Sequence, residues 1–554
     1  MTSRKRRTVR FLRTLLPQSA DLAAARRSPG RDLLAGLTVA VVALPLALAF
    51  GIASGMGAQA GLTTAILAGI LAAVFGGSKL QVSGPTGAMT VVLVPIVHQF
   101  GGPGVLQVGL VAGVFLLLLS LSGIGRYVRY LPVSLIEGFT AGIAVVIAVQ
   151  QVPNVLGVTP GEQGQLWAVA VDALMRYLQH PDVAAPAIAL GVAGTILIGA
   201  RWRPSLPRSL VAVVTVSVAT AALGIGLPSI GELPRGLPAP DAAFLDLGNV
   251  GALLPSALAI AALAALESLL CATVADSMSV GDRHNPDREL FGQGIANVVV
   301  PFFGGVPATA AIARTAVNVR SGARSRLAAV VHSLVLLAVV LVAAPLVGFI
   351  PLAALAGVLL ATTVQMIQLG AISAMLRGTR QDAIVLLTTF TVTVAIDLIT
   401  AVVVGLVAAG LLALRAVARS AHLERVPLDT NDHNAEEQEL MAEHIVAYRF
   451  DGPLFFGAAH RFLIELTEVS EVSVVILRMS RVSTLDVTGA LMLDDAITRL
   501  EHKGIAVLIS GIATGHERLL DRVGAAAKLR EQGRVFSQTP EAITHARTLI
   551  DAAG

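Results

Sequence analysis

Between Arg31 and about Ser420 the chain is a near-continuous series of apolar runs, and two of these runs are cut by Gly/Pro breaks. The breaks are Gln81-Val-Ser-Gly-Pro-Thr-Gly-Ala-Met-Thr90 and Gly304-Gly-Val-Pro-Ala-Thr-Ala-Ala-Ile-Ala-Arg-Thr315, each opening into small and hydroxyl residues. In hydrocarbon, unpaired N–H and C=O groups cannot face lipid, so a broken backbone survives only where it lines a cavity inside protein. One such break in each half of a chain points to a transporter's binding site.

Composition makes these runs membrane spans. With 55% hydrophobic and 14% charged residues and a mean hydropathy of +0.77, the chain is too apolar for an ordinary soluble globule. A spanning helix needs about 20 mainly apolar residues. Candidates fall at 33–53, 59–76, 86–99, 104–124, 132–151, 183–200, 209–227, 252–278, 289–303, 308–320, 326–348, 351–370, 383–399 and 400–419, fourteen in all. The loops test that count, because Lys and Arg gather on the cytoplasmic side. Lys79, Arg126 with Arg129, Arg201 with Arg203 and Arg208, Arg283 with Arg288, Arg320 with Arg324 and Arg326, Arg377 with Arg380, and Arg415 with Arg419 all fall in alternate loops. Those loops share a side with the basic N-terminus, Arg4 to Arg13, which has almost no acids beside it. Arg176 and Arg235 are the exceptions, in two longer outer segments expected to carry surface helices. Both ends of the membrane part are therefore expected in the cytoplasm. The leader carries no cleavage site and is not read as a secretory signal.

This topology sets the geometry of the breaks. The run after Pro85 starts from the cytoplasmic side and the run after Pro307 from the outside, so two half-helices enter the membrane in opposite directions. Their N-termini can meet at the midplane, each with unpaired N–H donors and about half a positive charge, an anion site in kind. The pattern fits seven plus seven spans as inverted repeats. An intramembrane Glu267 and an intramembrane Arg314 are costly and so are functional candidates, with a structural ion pair between them as the plainer alternative.

Near residue 425 the composition changes. The acidic stretch Asp429, Asp432, Glu436, Glu437, Glu439, Glu443 reads as a linker. Beyond it, strand-like runs His444 to Phe450, Val472 to Leu477 and Ile505 to Ile509 alternate with helical segments at 456–467, 488–502 and 514–523. That predicts a small cytoplasmic α/β domain. The expected organisation is a basic N-terminus over 1–30, a transporter domain over 31–420, a linker over 421–440 and the α/β domain over 441–554.

Several function classes lose support at this stage. The net charge of +4 needs no nucleic acid to explain it. The single Cys271 forms no intrachain disulfide. His98, His284 and His332 stand alone, without the spacing of a metal site, and read as packing residues. No nucleophile–base pair points to an enzyme, and neither cofactor nor metal is expected.

The block Glu267-Ser-Leu-Leu-Cys-Ala-Thr-Val-Ala-Asp276, with Arg283-His-Asn-Pro, Glu289-Leu-Phe-Gly-Gln-Gly-Ile-Ala-Asn297, Pro301 through Arg326 and Ala43-Leu-Pro-Leu-Ala-Leu-Ala-Phe50, resembles the SulP family of anion transporters, related to the mammalian sulfate/anion exchangers. The C-terminal domain, with Val482-Ser-Thr-Leu-Asp-Val-Thr-Gly489, resembles the STAS domain that this family carries. The resemblance implies a core domain of spans 1–4 and 8–11, a gate domain of spans 5–7 and 12–14, elevator-like movement, and a homodimer. It places Phe50, Thr86, Ala313 and Arg314 at the anion pocket, and Gly87, Ala88, Thr309 and Ala311 stand beside them in the two breaks. Glu267 matches the family's cation-coupling position. Sodium-coupled relatives tend to have Asp there with a hydroxyl residue four positions on, whereas this chain has Glu267 and Cys271. A cysteine is a poor sodium ligand, which favours a proton. In the STAS-like motif Val487 follows Asp486 where soluble relatives place a phosphorylatable serine.

The expectation is a multi-pass carrier of small anions in a bacterial inner membrane, most similar to the C4-dicarboxylate/bicarbonate branch, with sulfate sharing the scaffold. Proton-coupled symport is the first reading. The alternatives are an uncoupled exchanger or channel on the same fold, a sodium-coupled bicarbonate symporter, and a membrane anchor whose STAS-like domain recruits a cytoplasmic partner.

Overall fold

The computed structural model describes residues 14–126, 132–159, 166–202, 208–246, 248, 250–279, 283–420, 422–425, 444–454 and 472–553. The chain forms two compact units, Met1–Leu406 and Val407–Gly554.

A helix stands at each of the fourteen predicted positions of the first part. They are Pro29–Ala53, Gly57–Phe75, Gly87–Ser122, Val133–Gln150, Ala184–Trp202, Arg208–Leu223, Val250–Met278, Pro286–Val299, Ile312–Arg320, Leu327–Gly348, Leu352–Met366, Arg380–Ala395 and Leu398–Ser420. Gly87–Ser122 covers two predicted spans, because Gly101 at φ 66° breaks the helix between them. That left-handed backbone is one only glycine adopts freely. Seven helices are long and apolar enough to cross a membrane by length and composition among the described residues.

The helices sort into two packed sets. Pro29–Ala53, Gly57–Phe75, Gly87–Ser122, Val250–Met278, Pro286–Val299, Ile312–Arg320 and Leu327–Gly348 pack on one another. Val133–Gln150, Ala184–Trp202, Arg208–Leu223, Leu352–Met366 and Arg380–Ala395 form the second set. Small residues allow close approach in the first: a Cβ on Gly61 would run into the Ala47 carbonyl, and one on Gly113 would meet Val298 N at 2.6 Å. Such contacts replace the hydrophobic drive that is missing between helices in lipid.

Outside the spans, Arg176 lies on a surface helix, Leu166–Gln179, as expected. The segment around Arg235 differs: no helix forms over 225–246. Its Pro residues and the glycines at φ 83° (Gly231) and 106° (Gly236) favour an extended strap instead. The strap is pinned by Ile230 N–H to the Ile350 carbonyl at 3.1 Å and Asp241 N–H to the Phe302 carbonyl at 2.7 Å.

The two breaks are met by a two-stranded antiparallel pair, β1 (Ser83–Gly84) and β2 (Thr309–Ala310), with Gly84 opposite Thr309. Ala311 N–H extends it to the Val82 carbonyl at 3.1 Å. Each backbone group left unpaired there would cost about 1–3 kcal/mol, and polar side chains from neighbouring spans take up the remainder. Asn297 brackets Ala308, donating to its carbonyl at 2.9 Å and accepting its N–H at 2.8 Å. Thr64 does the same for Val306, at 3.0 and 2.7 Å. Gln293 donates to the Ser83 hydroxyl at 2.7 Å.

The second unit holds a five-stranded sheet in the order β3-β4-β5-β6-β7, where β3 is His422–Arg425, β4 Ile445–Leu454, β5 Val474–Leu485, β6 Ala506–Ser510 and β7 Val535–Phe536. Only β3 with β4 is antiparallel. Successive residues of β5 face opposite layers: Val475 and Leu477 join the core under Val487–His502, Val474 and Ile476 the core under Thr539–Ala553. This is the period-two signature of a sheet covered on both faces. Helices Val487–His502 and Thr514–Val523 match the sequence reading, and the predicted 456–467 helix lies outside the described residues. His422–Arg425 corrects the expected linker over 421–440: paired with Tyr448–Asp451, this segment is the sheet's edge strand.

Candidate functional site

Thr86 is the N-cap of the first half-helix, with extended backbone at φ −132° and ψ 162°. A threonine there normally turns its hydroxyl onto the helix's own first N–H groups. Here it does not; Thr86 Oγ1 donates to Glu267 Oε2 at 3.1 Å. Ala311, the N-cap of the second half-helix, has no side chain to offer. Neither half-helix therefore has a side-chain cap, and β1 and β2 hold the two starts together. Their first-turn N–H donors thus have no capping side chain, the chemistry of an anion site.

Phe50 lies over the first start. A Cβ on Gly87 would sit 3.3 Å from the Phe50 ring and would displace the tip of the Ile147 side chain, so the glycine keeps this start closely packed. Ala88 beside it is buried. At the second start, Thr309 shares a hydrogen bond with Ser268 at 2.8 Å. Ala311 is half-buried, while the Ala313 side chain is exposed.

Arg314 is the third residue of Ile312–Arg320, in its first turn, so its charge adds to the positive end of the helix. Its side chain is 2% exposed and turns back across the strand pair, Nη2 donating to the Pro85 carbonyl at 2.7 Å. Nη1 has no hydrogen-bond partner among the described residues. Glu267 projects from the middle of Val250–Met278 and is only partly buried. Its charge and that of Arg314 act on each other, but no ion pair joins them among the described residues; Glu267 bonds to Thr86 instead. One turn on, Cys271 donates to Thr315 Oγ1 at 3.1 Å, and the same oxygen accepts Val82 N–H at 3.0 Å. The position of a hydroxyl ligand is thus taken up by a thiol engaged in holding the break.

The residues singled out in the sequence meet here: Phe50, Thr86, Gly87 and Ala88 at one helix start, Thr309, Ala311, Ala313 and Arg314 at the other, with Glu267 bonded to Thr86. What the sequence reading missed is the frame, Thr64, Gln293 and Asn297. The available signal was that each is a polar side chain in an apolar span or next to a break. A separate apolar cleft lined by Leu62, Ile66, Leu237 and Val340 contains none of the candidate residues. No group of three metal-ligating side chains occurs among the described residues.

Two uncapped half-helices meeting among packed spans place the protein in the broken-helix class of membrane transporters. The profile of the sulfate permease family matches residues 30–389, and that of the STAS domain residues 439–542. YvdB of Bacillus subtilis, whose name ascribes sulfate transport to it, is 36% identical over 514 residues, covering 91% of this chain and 95% of that one. The bicarbonate transporter BicA of Synechocystis is 33% identical over 509 residues, with 89% and 90% covered. The solved transmembrane domain of a cyanobacterial BicA superposes with a TM-score of 0.63 at 35% identity, over 68% of this chain and 98% of that one. Murine Slc26a9 in an inward-facing state shares the fold, with a TM-score of 0.81 at 19% identity over 94% and 91%. The chain belongs to the sulfate permease family and is a membrane anion transporter, not an enzyme.

Proposed function

We propose that the protein is a proton-coupled symporter of a small anion, held between the two half-helix starts. The observation that carries this reading is the pair of uncapped N-termini flanked by a fully buried arginine with an unpartnered Nη1. Phe50, Thr86, Gly87, Ala88, Thr309, Ala311 and Ala313 would line the pocket, and Arg314 would supply the full positive charge. Backbone donors accept bicarbonate, sulfate and C4-dicarboxylates alike. The first two are the anions named for relatives.

Glu267 is the coupling residue in this reading. It contacts the pocket through Thr86, and a proton is the least costly way to neutralise a carboxylate that must cross the membrane. Cys271, engaged with Thr315, offers sodium no hydroxyl ligand. The division of the spans into two packed sets fits elevator movement of a core carrying the site against a gate. Placement in the inner membrane with both termini in the cytoplasm follows the loop charges. A homodimer belongs to the same reading.

The test is uptake by purified protein in liposomes, with radiolabelled bicarbonate, sulfate and fumarate. An inward proton gradient should drive accumulation without sodium. Glu267→Gln, which mimics the protonated carboxyl, should keep anion-for-anion exchange and lose that accumulation. Sodium-dependent uptake, or gradient-driven accumulation surviving in Glu267→Gln, would rule the mechanism out. Equilibration without accumulation would favour a channel or uncoupled exchanger.

A further inference from the structure

His332 stands in Leu327–Gly348 with no solvent exposure. Its ring donates to the Ala329 carbonyl of its own helix, and its Nδ1 lies 3.4 Å from Ser333 Oγ. With the proton on Nδ1, Nε2 presents a bare lone pair, and this atom has no partner among the described residues. A buried acceptor without a donor is rare enough to call for a partner.

The missing partner is close in the fold. Ile312–Arg320 and Leu327–Gly348 are consecutive helices joined by a short turn, and Val317 of the first packs into the same small core as Ala329 of the second. Three residues back from Val317 is Arg314, and three residues on from Ala329 is His332. Both helices pack on Pro29–Ala53, whose Val39 lies in that same small core, and each step leads one turn along its helix from there. Ala65 connects them from the side. Ser333 donates to the Ala65 carbonyl at 3.3 Å, and a Cβ on Gly84 would lie 3.3 Å from the Ala65 Cα while running into Arg314 Nη1. The Arg314 guanidinium is near enough to the His332 ring to act on it. One side thus offers a buried N–H donor without an acceptor, the other a buried acceptor without a donor.

We infer that His332 is a positioning residue for the anion site: neutral, it accepts from Arg314 Nη1–H through one buried water and holds the guanidinium at the second half-helix start. Buried water in proteins bonds to polar groups that would otherwise stay unsatisfied, and both atoms here are of that kind. Nη2 on the Pro85 carbonyl and Nη1 on this link would then fix the plane of the guanidinium from both ends. The inference rests on the anion-site reading of Arg314.

The test compares His332→Gln with His332→Met in the full-length protein, by binding of radiolabelled sulfate and bicarbonate. The two side chains have similar length and flexibility, but only glutamine carries a strong acceptor. His332→Gln should bind close to the native protein. His332→Met should bind about ten- to a hundredfold more weakly, the range of one hydrogen bond to a charged group. In an Arg314→Ala background the two should be indistinguishable, because the group they orient is gone. Equal binding by the two in the native background, a methionine deficit that persists in Arg314→Ala, or loss of folding in both would each overturn the assignment and leave His332 a packing residue. Native binding by Arg314→Ala alone would instead overturn the anion-site reading, and this inference with it.

Discussion

Thr86 shows how much one hydroxyl decides. Turned inward it would cap its own helix and occupy the first-turn donors; turned to Glu267 it leaves them open and ties the carboxylate to the proposed pocket. Because Thr86 is buried, a bulky residue there would disturb packing as well as block the site. Ala313 is the cleaner probe, since its side chain is exposed at the other half-helix start. Ala313→Trp should weaken sulfate and bicarbonate binding at least about tenfold while leaving the melting temperature near native. Unchanged affinity would remove this half-helix from the site. Glu267 and Arg314 were legible in the sequence because charges in apolar runs stand out. The direction of each side chain was not: their plausible ion pair gives way to bonds with Thr86 and the Pro85 carbonyl, a choice made by strand register that no residue pattern encodes.

At the scale of elements, the Gly-Pro breaks could be read directly, since Pro removes a donor and Gly84 at φ 155° tolerates a backbone few residues adopt. What held the breaks could not. Asn297 braces a break 11 residues on, but Thr64 and Gln293 reach breaks 242 and 210 residues away in the chain, and such long-range pairing leaves no local signal. The N-terminal helix Ser19–Arg27 is similar. Its sequence read as a basic leader, yet Asp21 pairs with Arg288 at 2.7 Å and Arg326 at 3.2 Å. Arg326 in turn donates to the carbonyls of Ala73, Gly76 and Ser78. Burial pushes the Asp21 carboxyl up, but the Gln18 amide and the Arg288 and Arg326 charges outweigh it and hold it below the ordinary 3.8. A depressed carboxylate contributes its stability in full above 3.8 and loses it as pH falls through the lower folded value. Asp21→Asn should therefore speed hydrogen exchange of the Ser19–Arg27 amides at neutral pH, by about an order of magnitude. The native protein should show the same loosening only under strong acid. Equal protection in both proteins at neutral pH would mean that the pair does not hold the helix.

For the whole molecule, the fourteen spans and the α/β domain were legible because two different solvents select two different compositions. The domain border was not. The acidic run from Asp429 looks like the start of the linker, but the sheet already begins at His422. Each unit has an apolar core of its own, one built around residues such as Leu93, Ile147 and Leu336, the other around Leu477, Leu493 and Ile509. All candidate pocket residues, Phe50 to Arg314, belong to the first unit. A cut near Asp429 would leave β3 behind as an unpaired strand, which invites aggregation and would confuse the result. Ending the chain after Ser420 removes the sheet entire and keeps Leu398–Ser420. The truncated protein should bind sulfate and bicarbonate with the affinity of the full chain, while its transport rate, dimer fraction or abundance changes. Equilibrium binding alongside light scattering checks both halves of that expectation. Abolished binding in a folded truncation would mean that the STAS domain contributes to the site itself, and a half-helix pocket confined to the spans would no longer account for anion recognition.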